Sequence, residues 1–373
     1  MRVAYFILNS FDVDSRARLE VETIRGMGHS VDIIVTKGAE STEYLGCPIH
    51  RIGQWRWPSR KMRFIQYNLK AALIGMRLKA DIYHAVDLDT LAAAHWAAGR
   101  SGGRVIYEAR ELYTELEPLR GRNIVRSFWE SLERRLIGKV ERVVTINESI
   151  ATELVSRYGI EKPAVIRNVA PVPKSIKLVD LRAEYGIPEG HKILIYLGVL
   201  RRGQGLLTQL DILRFLERVT MIFVGGGPLE ADLRIKVSQL GLQDRAVFAG
   251  RIPPDELLNF VASADAGMLL MEDVALNNRL ALPQKLFQYL SAGLPQIVSS
   301  MPEISRFVRE QETGIVISTD DPQIAAAEIS GFVFDQERCE NARQNCRKSA
   351  ENNNWERESA KWIEIYNELE SGR

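Results

Sequence analysis

A chain of 373 residues with 46% hydrophobic and 26% charged content has the composition of a soluble globular protein, and its length suits two domains of roughly 150–200 residues better than one core. The net charge of +1 hides an asymmetry: residues 1–168 carry 26 Lys+Arg against 20 Asp+Glu, whereas the remainder carries 23 against 28. Three scattered cysteines, Cys47, Cys339 and Cys346, with no histidine cluster beside them, point to reduced structural thiols in a cytosolic protein and away from a metal site.

In chain order, "RVAYFIL" (2–8) is too short for a secretory leader and reads as a buried strand. "VDIIVTK" (31–37), "ADIYHAV" (80–86), "RVIYEA" (104–109) and "RVVTIN" (142–147) follow, mostly apolar on both faces as a parallel sheet covered by helices requires. Helical patterns alternate with them, the first being "SRARLEVETIRGMGH" with Gly28 as its stop. The scheme then repeats in "KILIYLG" (192–198), "VTMIFVGGG" (219–227), "AVFAGR" (246–251), "AGMLLM" (266–271), "PQIVSS" (295–300) and "GIVIS" (314–318). Two doubly wound α/β units are expected, about 1–170 and 175–354, joined through the proline-bearing stretch "NVAPVPKSIKLVD". An amphipathic helix with Trp355, Trp362, Ile365 and Tyr366 on one stripe closes the chain. No run approaches the roughly 18 apolar residues that a membrane span needs.

Three stretches carry chemistry. "VGGGPLEADLR" (224–234) follows a strand and opens a helix, a place where bare backbone and helix amides suit an anion. "PQKLFQYLSAGLP" (283–295) is a helix entered through proline and left through glycine, with Lys285 and Gln288 on one face and Leu286 and Leu290 on another. Residues 51–79 hold eight basic residues, no acid, and Trp55, Trp57, Phe64 and Tyr67, a pattern that fits an anionic membrane surface or a plain solvated face. No nucleic-acid module accompanies that charge.

Taken in order, "YLGVLRRGQGLLTQL", "IFVGGGPLEADL", "AVFAGRIPPDELLNFVASADAGMLL", "NNRLALPQKLFQYLSAGLPQIVSS" and "GIVIS" closely resemble the nucleotide-sugar domain of the retaining family-four glycosyltransferases. "ADIYHAVDLDTLAAAHWAA", "RVIYEARELYTE" and "RVVTINESIATELVSRYGIEKPAVIRNVAP" resemble their acceptor domain. The resemblance implies the GT-B fold, two Rossmann-like domains facing a cleft, with helix 355–373 crossing back to the first. It implies a UDP- or GDP-linked sugar as donor, no tightly bound cofactor or metal, and a glycan or lipid-linked acceptor. It also implies a cytoplasmic protein with a peripheral place on the inner face of the membrane, acting in polysaccharide or glycoconjugate synthesis.

Carried over by position, donor contacts fall to Arg201, Arg202, Gln204, Gly226, Gly227, Arg251, Ile252, Leu280, Ala281, Lys285 and Gln288. Acceptor-side contacts fall to Arg16, Asp87, Arg110 and Glu111, with Glu111 and Lys285 as the catalytic pair and Glu111 sharing a helical face with Glu115. For Arg16 an Asp14–Arg18 helix pair is the competing reading; His84 and His95 read as packed. Four positions depart from the family pattern: Val86 and Arg110 replace usual histidines, Gln204 a usual cation, and Gln288 the usual ribose-gripping glutamate. These departures keep open an alternative, a catalytically silent homologue that partners an active enzyme.

Overall fold

The computed structural model describes residues 1–9, 11, 14–36, 42–53, 60–173 and 175–372. The chain divides into unit 1, Met1–Arg167 with Arg357–Arg373, and unit 2, Asn168–Glu356.

Unit 1 is built on strands β1 (Arg2–Ile7), β2 (Ser30–Val35), β3 (Glu43–Tyr44), β4 (Cys47–Arg51), β5 (Ile82–Val86), β6 (Arg104–Ala109), β7 (Arg142–Thr145) and β8 (Ala164–Val165). They lie in the order β3-β4-β2-β1-β5-β6-β7-β8, all parallel except for the β3–β4 pair. Helices α1 (Ser15–Gly26), α2 (Arg60–Leu78), α3 (Leu88–Ser101), α4 (Asn123–Leu136) and α5 (Glu148–Tyr158) alternate with them. Each strand read from the sequence has its counterpart here; β3, β4 and β8 are short additions at the sheet edges. Gly28 lies just past α1, where its amide closes the turn on Arg25 O at 2.9 Å.

Unit 2 holds β9 (Lys192–Leu197), β10 (Val219–Val224), β11 (Ala246–Gly250), β12 (Ala266–Leu269), β13 (Gln296–Ser299) and β14 (Gly314–Ile317), ordered β11-β10-β9-β12-β13-β14 and wholly parallel. Its helices are α6 (Leu181–Tyr185), α7 (Leu206–Leu213), α8 (Glu230–Leu240), α9 (Pro254–Ala262), α10 (Leu276–Leu280), α11 (Gln284–Ser291), α12 (Pro302–Gln311), α13 (Pro322–Val333) and α14 (Gln336–Ala350). The core is aliphatic and aromatic throughout, with Leu194, Tyr196, Leu210, Phe223, Leu233, Met268 and Ile329 buried between sheet and helices.

Both sheets reverse their winding beside the first strand of the unit, between β1 and β5 and between β9 and β12. In such sheets the crevice at the carboxyl ends of those strands is the place for a ligand. The last helix, α15 (Trp355–Ser371), starts in unit 2 and packs on unit 1, burying Trp362, Ile365, Tyr366 and Leu369. Trp362 packs tilted against His84 at 5.0 Å between ring centroids, and His84 Nδ1 lies 3.0 Å from the Tyr366 hydroxyl. Among the described residues no helix is long and apolar enough to cross a membrane.

Candidate active site

In unit 2 the reversal point is built from three loops and one helix. Helix α11 buries Leu286, Phe287, Tyr289 and Leu290 completely, which fixes its rotation. The Tyr289 hydroxyl then accepts from Leu197 N at 3.1 Å, tying the helix to the end of β9. That arrangement leaves Lys285, one turn before Tyr289, half-buried beside the β9 loop. Its ammonium donates to Gln204 Oε1 at 2.6 Å and to the Tyr196 hydroxyl at 2.9 Å, and sits 4.3 Å from the centre of the Tyr196 ring. Gly198 has φ of 134°, and a Cβ there would stand 3.1 Å from Lys285 Nζ, so a glycine at this turn keeps room for the ammonium.

No carboxylate pairs with Lys285 among the described residues. Burial, with a smaller push from Arg201, brings its pKa down to about 7. Arg201 and Arg202 are exposed in the same loop. Gln204, buried, is therefore more than a missing cation: its amide oxygen is the acceptor that orients Lys285.

The two carried-over glycines differ in what requires them. A Cβ on Gly227 would meet Leu200 O at 2.4 Å, so the protein's own packing demands a glycine there; a Cβ on Gly226 would meet only Glu230 Oε2, at 3.8 Å. Arg251 is exposed past β11 and Ile252 half-buried beside it. Leu280 ends α10 and Ala281 continues in extended conformation toward α11. The Gln288 side chain is half-buried and makes no hydrogen bond among the described residues.

In unit 1, Asp87 follows β5 with φ of 60° and ψ of 168°, a conformation that costs a non-glycine residue of order 1–3 kcal/mol. Its Oδ1 accepts from the Arg110 amide at 3.0 Å. Burial first, then the charges of Asp89 and Glu111, hold the Asp87 carboxyl well above the usual range. Asp89 rises to about 7, mainly by burial, and accepts from the Tyr113 hydroxyl at 3.3 Å. Asp87, Asp89 and Glu111 thus form one acidic corner at the ends of β5 and β6. Glu111 does not share a helical face with Glu115: the chain bends at Glu111, and Glu115 closes a short 3-10 turn and pairs with Arg126 and with Arg157 at 2.8 Å.

Two residues assigned to the acceptor side belong elsewhere in structural terms. The Arg16 guanidinium is 2% exposed and bonded to Glu20 and Glu108, each at 2.8 Å, and to Ile166 O at 3.0 Å. The Arg110 guanidinium reaches Asp14 at 3.0 Å, Glu20 at 2.9 Å and the Tyr5 hydroxyl at 2.9 Å. Asp14 is drawn to Arg110 and caps α1 through Ala17 N at 2.9 Å. Both guanidinium groups are consumed by this cluster, so only the backbone amide of Arg110 serves the acidic corner. Glu20, His84 and Glu108 approach one another closely enough to chelate a cation. They do not suit one, because Arg16 and Arg110 already neutralise both carboxylates and a divalent ion would have to displace them. His95 is half-buried on α3.

Sequence reasoning missed Tyr196, Asp89 and Tyr113. The available signals were a tyrosine at the end of a buried strand before a glycine turn, and "DLD" opening a helix.

The profile of the family described as "Glycosyl transferases group 1" matches residues 180–349, and that of the "Glycosyl transferase 4-like domain" matches residues 13–169. The chain is 24% identical over 335 residues to an alpha-monoglucosyldiacylglycerol synthase of Streptococcus pneumoniae, covering 84% of this chain and 74% of that protein. It is 25% identical over 177 residues to an N-acetyl-alpha-D-glucosaminyl L-malate synthase of Bacillus anthracis, covering 46% of this chain and 44% of that one. In fold it is similar to a sucrose-phosphate synthase of Thermosynechococcus elongatus, with a TM-score of 0.84 at 16% identity over the full length of both chains. The Anabaena HepE protein, solved with UDP-glucose, gives a TM-score of 0.79 at 15% identity, covering 99% of this chain and 100% of that one.

Proposed function

The chain is a family-four glycosyltransferase of the GT-B class, and from that premise we propose that it transfers a hexose, with retention of configuration, from UDP-hexose to a hydroxyl of a glycan or glycolipid. The observation that carries this reading is Lys285, a cation set at the reversal point of unit 2 with neutral partners and, among the described residues, no acid to neutralise it. A diphosphate leaving group needs such charge together with oriented amides. Lys285 and Arg201 would take the diphosphate, with Arg202 and the Leu280–Ala281 approach to α11 beside it. Gly226 would let the backbone approach the ligand, Gln288 would hold the ribose, and Arg251 and Ile252 would flank the base. Asp87 and Glu111 in unit 1 would serve the acceptor. No resident metal is invoked; the leaving diphosphate itself takes the acceptor proton.

UDP is preferred to GDP because the similar Anabaena fold was solved with UDP-glucose. A glycolipid product is favoured because the Streptococcus pneumoniae relative is named for one. The silent-partner alternative gains no support from these relatives, which are synthases by name.

Helix α2 supports peripheral membrane contact. Met62, Ile65, Leu69 and Leu73 are exposed along one stripe, Arg63, Lys70 and Arg77 run beside it, and the helix has no acid. Trp55 and Trp57, and the side chains of Arg60 and Lys61, lie outside the described residues.

Calorimetry with UDP-, GDP- and dTDP-glucose tests the donor reading. Micromolar to sub-millimolar binding of the UDP sugar is expected, and absence of binding of all three at millimolar ligand would sink the proposal. Sedimentation with anionic vesicles tests the surface: changing Arg63, Lys70 and Arg77 to Glu removes about 1 kcal/mol per lost cation and should leave the protein in the supernatant.

A further inference from the structure

A cavity of about 180 Å³ lies in unit 1 between α2 and the carboxyl ends of β1, β2 and β4. Leu8, Ile52 and Phe64 give it apolar walls; Thr36, Arg63 and Tyr67 give it polar ones. The Tyr67 side chain is buried, with 3% of the residue exposed, and its hydroxyl has no hydrogen-bond partner among the described residues. A buried hydroxyl left unpaired costs about 1–3 kcal/mol, which a ligand oxygen in the cavity would recover. Tyr67 also feels the charge of Asp89, so this end of the cavity adjoins the acidic corner. The space is small for a ligand site. It admits a sugar ring or a glycerol unit and excludes a nucleotide, which needs several hundred Å³.

The second half of the argument is position. Along α2, at about 100° per residue, Gln66 and Arg63 fall between the exposed Met62–Ile65–Leu69–Leu73 stripe and Tyr67, and both line the cavity. The apolar stripe and the cavity mouth are therefore neighbouring faces of one helix.

We propose that this cavity receives the hydroxyl-bearing head group of an amphiphilic acceptor, held by the Tyr67 hydroxyl against the apolar walls, while the acceptor's tail lies along the α2 stripe. The inference rests on the glycosyltransferase reading above and adds where, and by which residue, the acceptor is held. The cationic Arg63 at the rim stays free to face an anionic bilayer surface.

The test uses octyl glucoside below its micelle concentration, followed by ligand-observed NMR on the full chain. Wild type should bind it, and Tyr67→Phe, which keeps the ring, should bind about fivefold more weakly, the worth of one neutral hydrogen bond. Gly53→Leu should weaken binding as well, because it adds bulk at a lining position where a Cβ meets nothing within 4 Å and so does not strain the fold. UDP-glucose affinity, read on the same samples, should not change, and the melting temperature of Tyr67→Phe should hold or rise, because the unpaired hydroxyl is gone. Equal octyl glucoside binding by all three proteins overturns the proposal, as does octyl sulfate binding as well as octyl glucoside. Free glucose binding as tightly as octyl glucoside overturns the amphiphile assignment. No octyl glucoside binding beside intact UDP-glucose binding overturns this site alone, whereas loss of both in wild type overturns the transferase reading with it.

Discussion

Arg16 and Arg110 in unit 1 and Lys285 in unit 2 are cations set against parallel sheets, and their partners differ in kind. Around the arginines stand Glu20, Glu108 and Asp14, so their charge is spent inside the protein. These acids keep Arg16 and Arg110 protonated, and Arg110 and Arg16 in turn hold Glu108 well below the usual carboxylate range. Around Lys285 stand a phenol and an amide, which align the ammonium without cancelling it. A charge answered by carboxylates is architecture; a charge answered by neutral groups is available to a ligand.

The sharpest way to break this contrast is to take from the arginines the carboxylate they share. Glu108→Ala leaves Arg16 with Glu20 and Arg110 with Asp14 and Glu20, and the broken buried pairs should cost about 3–5 kcal/mol, read as a fall in the urea midpoint.

Lys285→Met should do the opposite. Stability should hold or rise slightly, because a half-buried charge with no acid partner is lost, while UDP-glucose affinity should fall about 10- to 100-fold, the worth of a charge-assisted contact. The same contrast has a pH signature. The free-site pKa of about 7 lies below the ordinary lysine value, and a bound diphosphate raises it again. Binding above pH 7 must therefore take up a proton, and affinity should drop by up to about tenfold per pH unit until the bound-state value is reached. Calorimetry in buffers of different ionisation enthalpy measures the uptake; a flat profile in wild type would contradict the unpaired lysine.

A smaller effect belongs to Gln288. Glu in its place accepts from two ribose hydroxyls where the amide accepts from one, so Gln288→Glu should tighten UDP-glucose by about 1–2 kcal/mol. No change would separate Gln288 from the ribose and leave the Lys285 assignment standing.

The strand pattern was legible because a parallel sheet covered on both faces leaves uninterrupted Val- and Ile-rich runs. "CPIHR" at β4 was not, since a proline and mixed polarity disguise an edge strand. The helix carrying Lys285 was legible for the same local reasons, proline before it and glycine after. What the sequence hid was distance. Nothing near Arg110 in the chain shows that Asp14 and Glu20 come from 96 and 90 residues away to enclose it, so a structural arginine read as an acceptor contact. Gln204 misled in the opposite direction: read as a lost cation, it is the group that presents the remaining one.

One feature of the connections reaches beyond catalysis. Arg167 is bonded to Glu358 through its amide at 2.9 Å and its guanidinium at 2.8 Å, and the Trp355 amide meets Ala170 O at 3.3 Å. The outgoing and returning strands of the chain are thus stitched together where they pass between the units, and the ends of unit 2 emerge side by side. In genetic terms unit 2 is a cassette carried inside unit 1, and exchanging residues 168–356 for a homologous segment would cut no strand of either sheet. If unit 2 holds the donor and unit 1 the acceptor, as proposed above, exchange at these two adjoining junctions would change donor specificity and leave the acceptor half untouched.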